Sequence, residues 1–285
     1  MAPGSPQRRT RIFAITNQKG GVGKTTTAVN LAASLAATKR NVLLIDMDPQ
    51  GNASMGCGVD KHELEYSLYE VLTDQCAIDQ ALQTKLECRF DLLPSNSDLT
   101  AAEVELLDFP EKEFQLQKKL NRLDRHYDFI FIDCPPSLNM LTVNALVASQ
   151  GVLVPIQCEY YALEGLSALM NTIATVAENI NPDLRIEGLI RTMYDPRNSL
   201  TNDVSEQLAK HFGERVYRTA IPRNVRLAEA PSHGMPVLAY DPASKGAKSY
   251  LALAGELLRR ENALEGLVDI NPQQQTYEEP AVNES

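Results

Sequence analysis

Short apolar runs alternate along the chain with longer stretches whose apolar positions recur at helical spacing. Ile12-Phe13-Ala14-Ile15, Val42-Leu43-Leu44-Ile45 and Phe129-Ile130-Phe131-Ile132 have the length and continuity of strands buried on both faces. The pattern predicts strands at 11–16, 42–45, 128–133, 151–156, 185–192 and 216–221, with a weaker one at 90–94. Helices are predicted at about 25–38, 97–107, 111–126, 138–149, 161–179, 200–212 and 245–262, and one or two short ones within 53–88. Strand and helix alternate throughout, so the expected fold is α/β: a doubly wound, mostly parallel sheet with helices on both faces. Residues 11–262 show no linker and no repeat and read as a single domain. Residues 1–10 read as a disordered arm. From Glu261 onward there are 6 acidic and no basic residues, with Gln273-Gln274-Gln275, so 263–285 reads as an acidic disordered tail.

At 285 residues and 44% hydrophobic, the chain can bury one large core. No apolar run approaches the ~20 residues of a membrane span, and Met1–Arg11 lacks the apolar segment of a signal peptide. The 5 cysteines form no Cys-x-x-Cys pair, consistent with a reduced chain. The 4 histidines are scattered, which argues against a zinc site. The net charge of −10 argues against wholesale affinity for nucleic acid, but the charge is uneven. Residues 41–115 hold 16 acidic and 4 basic side chains, whereas residues 185–226 hold 8 basic and 5 acidic. A local basic face can therefore survive in the second half.

The candidate chemistry gathers at Lys19-Gly20-Gly21-Val22-Gly23-Lys24-Thr25-Thr26, between the first predicted strand and the first predicted helix. Glycines let several backbone N–H groups face one anion, and a helix N-terminus adds partial positive charge. In this setting the segment reads as a phosphate loop, a P-loop: Lys24 supplies a point charge for the β- and γ-phosphates of ATP, and Thr25 a hydroxyl for Mg²⁺. Asp133 closes a later apolar strand and is expected to hold Mg²⁺ through water. Asp46 and Asp48 end the second strand on the same side, and strand geometry does not choose between them. Cys134 is not expected to be a redox thiol, since nothing nearby would lower its pKa.

The loop has Gln18 where the usual G-x-x-x-x-G-K-[ST] pattern has glycine, and opens on a second lysine. Lys-Gly-Gly-Val-Gly-Lys-Thr resembles the deviant Walker A loop of the ParA/MinD ATPases. That resemblance implies a P-loop NTPase in which Lys19 reaches the partner's nucleotide across an ATP-bound homodimer. Leu-Leu-Ile-Asp-Met-Asp-Pro-Gln-Gly-Asn is similar to the family's switch I, which gives Asp48 the task of positioning the attacking water and a possible water-mediated contact to Mg²⁺. Asp46 is then expected either behind the residues that touch the site or on a Mg²⁺-bound water. Asp-Cys-Pro-Pro-Ser, from Asp133, resembles switch II. Ile-Pro-Arg-Asn-Val-Arg-Leu resembles the segment that packs on adenine, through Pro222 and Asn224. Glu159 and Glu164 match family positions of uncertain role, at a dimer interface or simply at a helix start.

The same resemblance assigns non-specific contacts with double-stranded DNA to Arg197 and Arg226, with Arg223 and Arg218 as weaker candidates beside Arg215. Catalysis is expected from Lys19, Lys24 and Asp48, largely by charge stabilisation. No glutamine or arginine finger is legible, so slow hydrolysis stimulated by a ParB-type partner is expected. The resemblance implies a cytoplasmic, nucleoid-associated protein that segregates DNA. It is closest to chromosomal ParA/Soj proteins, since only 18 residues precede Lys19, too few for an N-terminal operator reader. The alternative is a MinD-like membrane-positioning ATPase, which needs a basic amphipathic C-terminal helix; the acidic, proline-broken end Glu278–Ser285 does not offer one.

Overall fold

A computed structural model describes residues 9–84, 86–160 and 162–268. Its described residues form one six-stranded parallel sheet: β1 (Arg11–Ile15), β2 (Val42–Asp46), β3 (Asp91–Leu93), β4 (Phe129–Asp133), β5 (Gly151–Gln157) and β6 (Arg185–Thr192), in the order β3-β2-β4-β1-β5-β6. The helices are α1 (Lys24–Ala36), α2 (Asn52–Gly56), α3 (Leu68–Leu72), α4 (Ile78–Ala81), α5 (Leu99–Glu105), α6 (Gln115–Leu120), α7 (Met140–Ala148), α8 (Ala162–Asn179), α9 (Ser199–Phe212), α10 (Val225–Glu229), α11 (Val237–Tyr240) and α12 (Lys245–Val268).

Successive strand residues face opposite sides, so each strand feeds two cores. Ala14, Leu43, Ile45, Ile130, Ile132, Val152 and Val154 pack with apolar residues of α3 to α9. Phe13, Ile15, Leu44, Phe129, Phe131, Leu153 and Ile190 pack with α1, α2 and α10 to α12. In the second layer Phe13 and Phe131 stack at 5.8 Å between centroids, both fully buried. The doubly wound sheet is therefore as the sequence pattern predicts. Among the described residues no helix is long and apolar enough to cross a membrane.

Three elements differ from the sequence expectation. Residues 216–221 do not form a seventh strand. Only isolated bridges link Leu189 to Val216 and Tyr194 to Pro222. Tyr217 and Ile221 N–H still donate to the Leu189 and Arg191 carbonyls of β6, but the groups between them bond to side chains: Arg191 donates to the carbonyls of Tyr217 and Arg218 at 3.1 and 2.8 Å, and the Glu256 carboxylate accepts the N–H groups of Arg218 and Thr219 at 2.8 and 2.9 Å. The helix expected over 111–126 is broken because Glu111 sits at φ 50°; a single 3-10 turn, Lys112–Phe114, precedes the short α6. The last helix continues to Val268, past the expected end at 262. Residues 1–8 of the expected arm and 269–285 of the expected tail lie outside the described residues.

Candidate nucleotide site

The site forms where β1, β2 and β4 end. Ile15, Asp46 and Asp133 lie in register there, at the carboxyl edge where open α/β sheets bind ligands. β1 leads into the glycine loop, and Gly21 and Gly23 take φ 73° and 87°, values that side-chain-bearing residues rarely adopt. Gly23 is the N-cap of α1, so the loop delivers the chain directly into the start of a 13-residue helix. Side chains hold the loop from three sides. Asn17 donates to the Pro155 carbonyl at 2.8 Å and accepts from Lys19 N–H. The Thr192 hydroxyl, at the end of β6, donates to the Val22 carbonyl at 2.8 Å. Asn30 donates to Thr26 O and accepts from Val237 N–H, tying α1 to α11.

A cavity of about 810 Å³ opens in front of this loop. Gly20, Gly21, Gly23, Lys24, Thr25 and Thr26 line one wall, and Asp48, Asn52, Pro135 and Pro136 face them. Val22, by contrast, is buried in packing. The two lysines are placed differently. Lys24 is buried, and its ammonium donates to the Lys19 carbonyl at 3.2 Å, bridging the loop. Burial lowers its proton affinity, opposed by the charges of Asp133 and Asp48. Lys19 lies outside this wall, half exposed, and pairs with Glu159 at 2.6 Å.

Asp133 is fully buried, and burial raises its pKa well above the usual carboxylate range, with the neighbouring Asp46 charge adding to the rise. Neither Asp133 oxygen has a hydrogen-bond donor of ordinary geometry, and the Thr25 hydroxyl and Lys24 ammonium beside it offset the rise only in part. A buried carboxylate left so is costly unless a cation answers it. Among the described residues no group of three His, Cys, Asp or Glu side chains forms a metal cage. The donor set therefore suits a cation that takes most of its oxygens from phosphate and water.

Asp46 has a different task. Its carboxylate accepts Ser54 N–H at 2.8 Å, Ser54 hydroxyl at 2.7 Å and Asp48 N–H at 3.3 Å, while burial pushes its pKa up to about 6. It anchors the loop that presents Asp48. Asp48 accepts Gln50 N–H on its carboxylate, and its carbonyl accepts the Ser95 hydroxyl at 2.9 Å. Ser95 N–H in turn donates to Ser54 Oγ at 3.0 Å. Ser54, Ser95 and Thr192 were not legible as site residues; their only signal is position, in the short helix after β2, just beyond β3 and at the last residue of β6. Glu103 was also missed. It lines the cavity and accepts from Asn139, the N-cap of α7, at 2.6 Å.

Pro222 and Asn224 lie in an adjoining cavity of about 170 Å³ that shares Gly23, Thr26 and Met193 with the first. The Asn224 Oδ1 accepts Leu227 N–H at 3.3 Å and so caps α10, leaving its amide NH₂ to meet a ligand. Three of the arginines expected on a nucleic-acid face, Arg197, Arg218 and Arg226, are paired with acidic neighbours. Arg197 is held by Asp195, 2.8 Å away and fully at the surface, and Arg223 is close enough to lower the pKa of that same aspartate. Arg226 pairs with Glu229 at 2.7 Å and Asp241 at 3.3 Å. Arg218 lies in the stretch bound to Glu256, with Glu214 at 3.9 Å. The segment after α2 also touches the segment after α10 directly. A Cβ on Gly234 would come within 2.7 Å of the Gly58 Cα, so only two glycines fit.

Comparison with known proteins agrees with this geometry. Residues 10–186 match a family model described as an AAA domain. The chain is 51% identical to the sporulation initiation inhibitor protein Soj of Bacillus subtilis over 87% of its own length and 98% of that protein. It is 50% identical to the chromosome partitioning protein ParA of Myxococcus xanthus, covering 88% of this chain and 89% of that one. Among solved structures, a protein of Mycobacterium smegmatis described as cobyrinic acid a,c-diamide synthase, with bound ADP and magnesium, superposes with a TM-score of 0.79 at 38% identity, covering 90% of this chain and 96% of that one.

Proposed function

The chain belongs to the Soj/ParA family of chromosome-partitioning ATPases, and from that membership we propose that it is an ATP-driven DNA-segregation protein. In this reading two copies close around ATP and Mg²⁺, the dimer binds double-stranded DNA without sequence choice, and hydrolysis stimulated by a ParB-type partner releases it. The observation that carries the reading is the unequal placement of two lysines in one loop. Lys24 is buried inside the cavity that fits its own triphosphate, and Lys19 stands half exposed beyond it, available to a second copy.

The chain's own groups have clear tasks in this scheme. Lys24, the loop N–H groups and the α1 N-terminus would hold the β- and γ-phosphates. Thr25 and, through water, Asp133 would hold Mg²⁺, which supplies charge neutralisation at the phosphates when bound. Asp48, fixed by Gln50 N–H and by Ser95, would orient the water that attacks. Asp46 serves by holding Ser54 and Asp48, rather than by touching the nucleotide. The base would occupy the smaller cavity against Pro222, with the Asn224 amide donating to its edge. Arg197 and Arg226, each repeated in the dimer, would supply the phosphate contacts, with Arg223 and Arg218 contributing less.

Gel retardation of duplex DNA with ATP, ADP or no nucleotide, repeated across a salt series, tests the reading. Retardation with ATP alone and a steep loss with salt is the expected result. Equal retardation in all three states would remove the nucleotide switch, and no retardation in any of them would remove DNA as the partner.

A further inference from the structure

We propose that Lys61 is a positioning residue for ATP hydrolysis: its ammonium, bound to the Gln50 carbonyl, holds the turn that presents Asp48 to the cavity. The inference rests on the reading of Asp48 as the group that orients the attacking water.

The chain leaves β2 at Asp46, turns through Asp48 to Gly51 and enters α2. Two N–H groups of that turn point back at Asp48. Gln50 N–H donates to its carboxylate at 2.9 Å, and Gly51 N–H donates to its carbonyl at 2.9 Å. The peptide unit between Gln50 and Gly51 thus spends its N–H on Asp48, and its oxygen faces the other way. Lys61 Nζ donates to that oxygen at 2.6 Å. A cation on a carbonyl polarises the amide and strengthens the bond made by its N–H. The charge on Lys61 therefore acts on Asp48 through one peptide unit. The stem of the same lysine adds a steric grip. A Cβ on Gly51 would meet the Ser95 carbonyl oxygen at 2.8 Å and Lys61 Cδ at 2.9 Å, so the turn is held between the segment after β3 and the lysine.

Lys61 is itself held in place. After α2, Val59 N–H donates to the Ser54 carbonyl at 3.1 Å. Asp60 then turns the chain, accepting His62 N–H on its carboxylate at 2.9 Å and Glu63 N–H on its carbonyl at 3.2 Å. That turn brings the chain back to its own start, with Lys61 11 residues beyond the carbonyl it holds. Asp48, Pro49, Gln50 and Asn52 line the cavity, and Lys61 does not. Its effect on the nucleotide must therefore run through the turn rather than through contact. The bond is exposed to solvent, so losing it costs the fold as a whole little while freeing the Gln50–Gly51 peptide to rotate. Hydrolysis is sensitive to the resulting drift of the Asp48 carboxylate, because the attacking water must be aligned closely.

The test uses the full-length protein with ATP and magnesium. Lys61→Met keeps a stem over Gly51 and removes the charge, and Lys61→Arg restores a charged donor. Single-turnover phosphate release, ATP affinity, melting temperature and amide hydrogen exchange are measured for each, beside Asp48→Ala. In Lys61→Met the hydrolysis rate is expected to fall about tenfold, with ATP affinity within about twofold and the melting temperature within about 1–2 °C. The amides of residues 48–52 are expected to exchange faster in the same variant, and Lys61→Arg to recover most of the rate. A Lys61→Met rate within about twofold of wild type beside an inactive Asp48→Ala would overturn the proposal and leave the role of Asp48 standing. An Asp48→Ala variant as fast as wild type would overturn that role, and the proposal with it. Unchanged exchange over 48–52, or a lost rate matched by lost affinity and a lower melting temperature, would also overturn it.

Discussion

Asp46 and Asp133 are register partners on adjacent parallel strands, and both are fully buried. Burial raises the proton affinity of both carboxylates, and neither Asp133 oxygen has a donor of ordinary geometry. The raised pKa of Asp46 makes folding favour its protonated form. Its cost is present at neutral pH and is relieved as pH falls through about 6 towards the unfolded value of 3.8. That cost is on the order of 2–3 kcal/mol. The nucleotide-free protein is therefore expected to melt several degrees higher at pH 5 than at pH 7.5, and Asp46→Asn to reduce the difference, leaving the share that Asp133 contributes. Calorimetry across this range checks it; a melting temperature that falls steadily from pH 7.5 to 5 would contradict the account.

The Lys19 ammonium is held in an exposed pair with Glu159 of its own chain, and such pairs contribute little to stability. Lys19→Ala is expected to leave the melting temperature within about 1–2 °C and nucleotide affinity within a few-fold, while abolishing ATP-dependent dimers. Light scattering with saturating ATP and magnesium measures this. Dimers that persist unchanged in the variant would show that the exposed lysine does not join two copies.

The arginine contacts with acidic neighbours set a specific expectation for DNA. If each arginine meets one phosphate, replacing it lowers the salt slope of binding by about 1 per site, doubled in a dimer. Arg226→Ala and Arg197→Glu are each expected to weaken retention of any duplex sequence while leaving ATP-dependent dimers intact. A change in sequence preference, or dimers lost together with DNA binding, would count against a simple phosphate contact.

Glu256 offers a test of the missing seventh strand. Its buried carboxylate accepts Arg218 N–H, Thr219 N–H and the Thr219 hydroxyl and meets Arg260 at 3.0 Å. Removing it strands two backbone donors and a guanidinium, a loss of about 2–4 kcal/mol. Glu256→Ala is expected to shift the denaturation midpoint accordingly, with protease sensitivity rising first near 216–221. A shift below ~0.5 kcal/mol would mean water replaces the carboxylate at no cost.

Much of this architecture is legible in the sequence because buried parallel strands leave continuous apolar runs. Val42–Ile45 and Phe129–Ile132 are as plain in the chain as in the sheet. The phosphate loop is legible for a related reason: its chemistry is local, and one glycine run with its lysines carries it. Residues 216–221 looked like a strand from their apolar ends, but between the β6 bonds of Tyr217 and Ile221 the side chains of Arg191 and Glu256, distant in sequence, take the backbone bonds that continuous pairing would need. The Ser54–Ser95 link was invisible for the same reason. It joins a helix and a turn that only the finished sheet brings together, and neither serine differs in type from the chain's other serines.

The backbone contact between Gly58 and Gly234 has a mechanical consequence. Where side chains separate two segments, they can rotate to absorb small displacements. Here main chain rests on main chain, and one of the two strips begins just past the short helix that opens at Asn52 while the other follows the helix bearing Arg226. A push of even a fraction of an ångström at one end has no slack to consume before it is felt at the other.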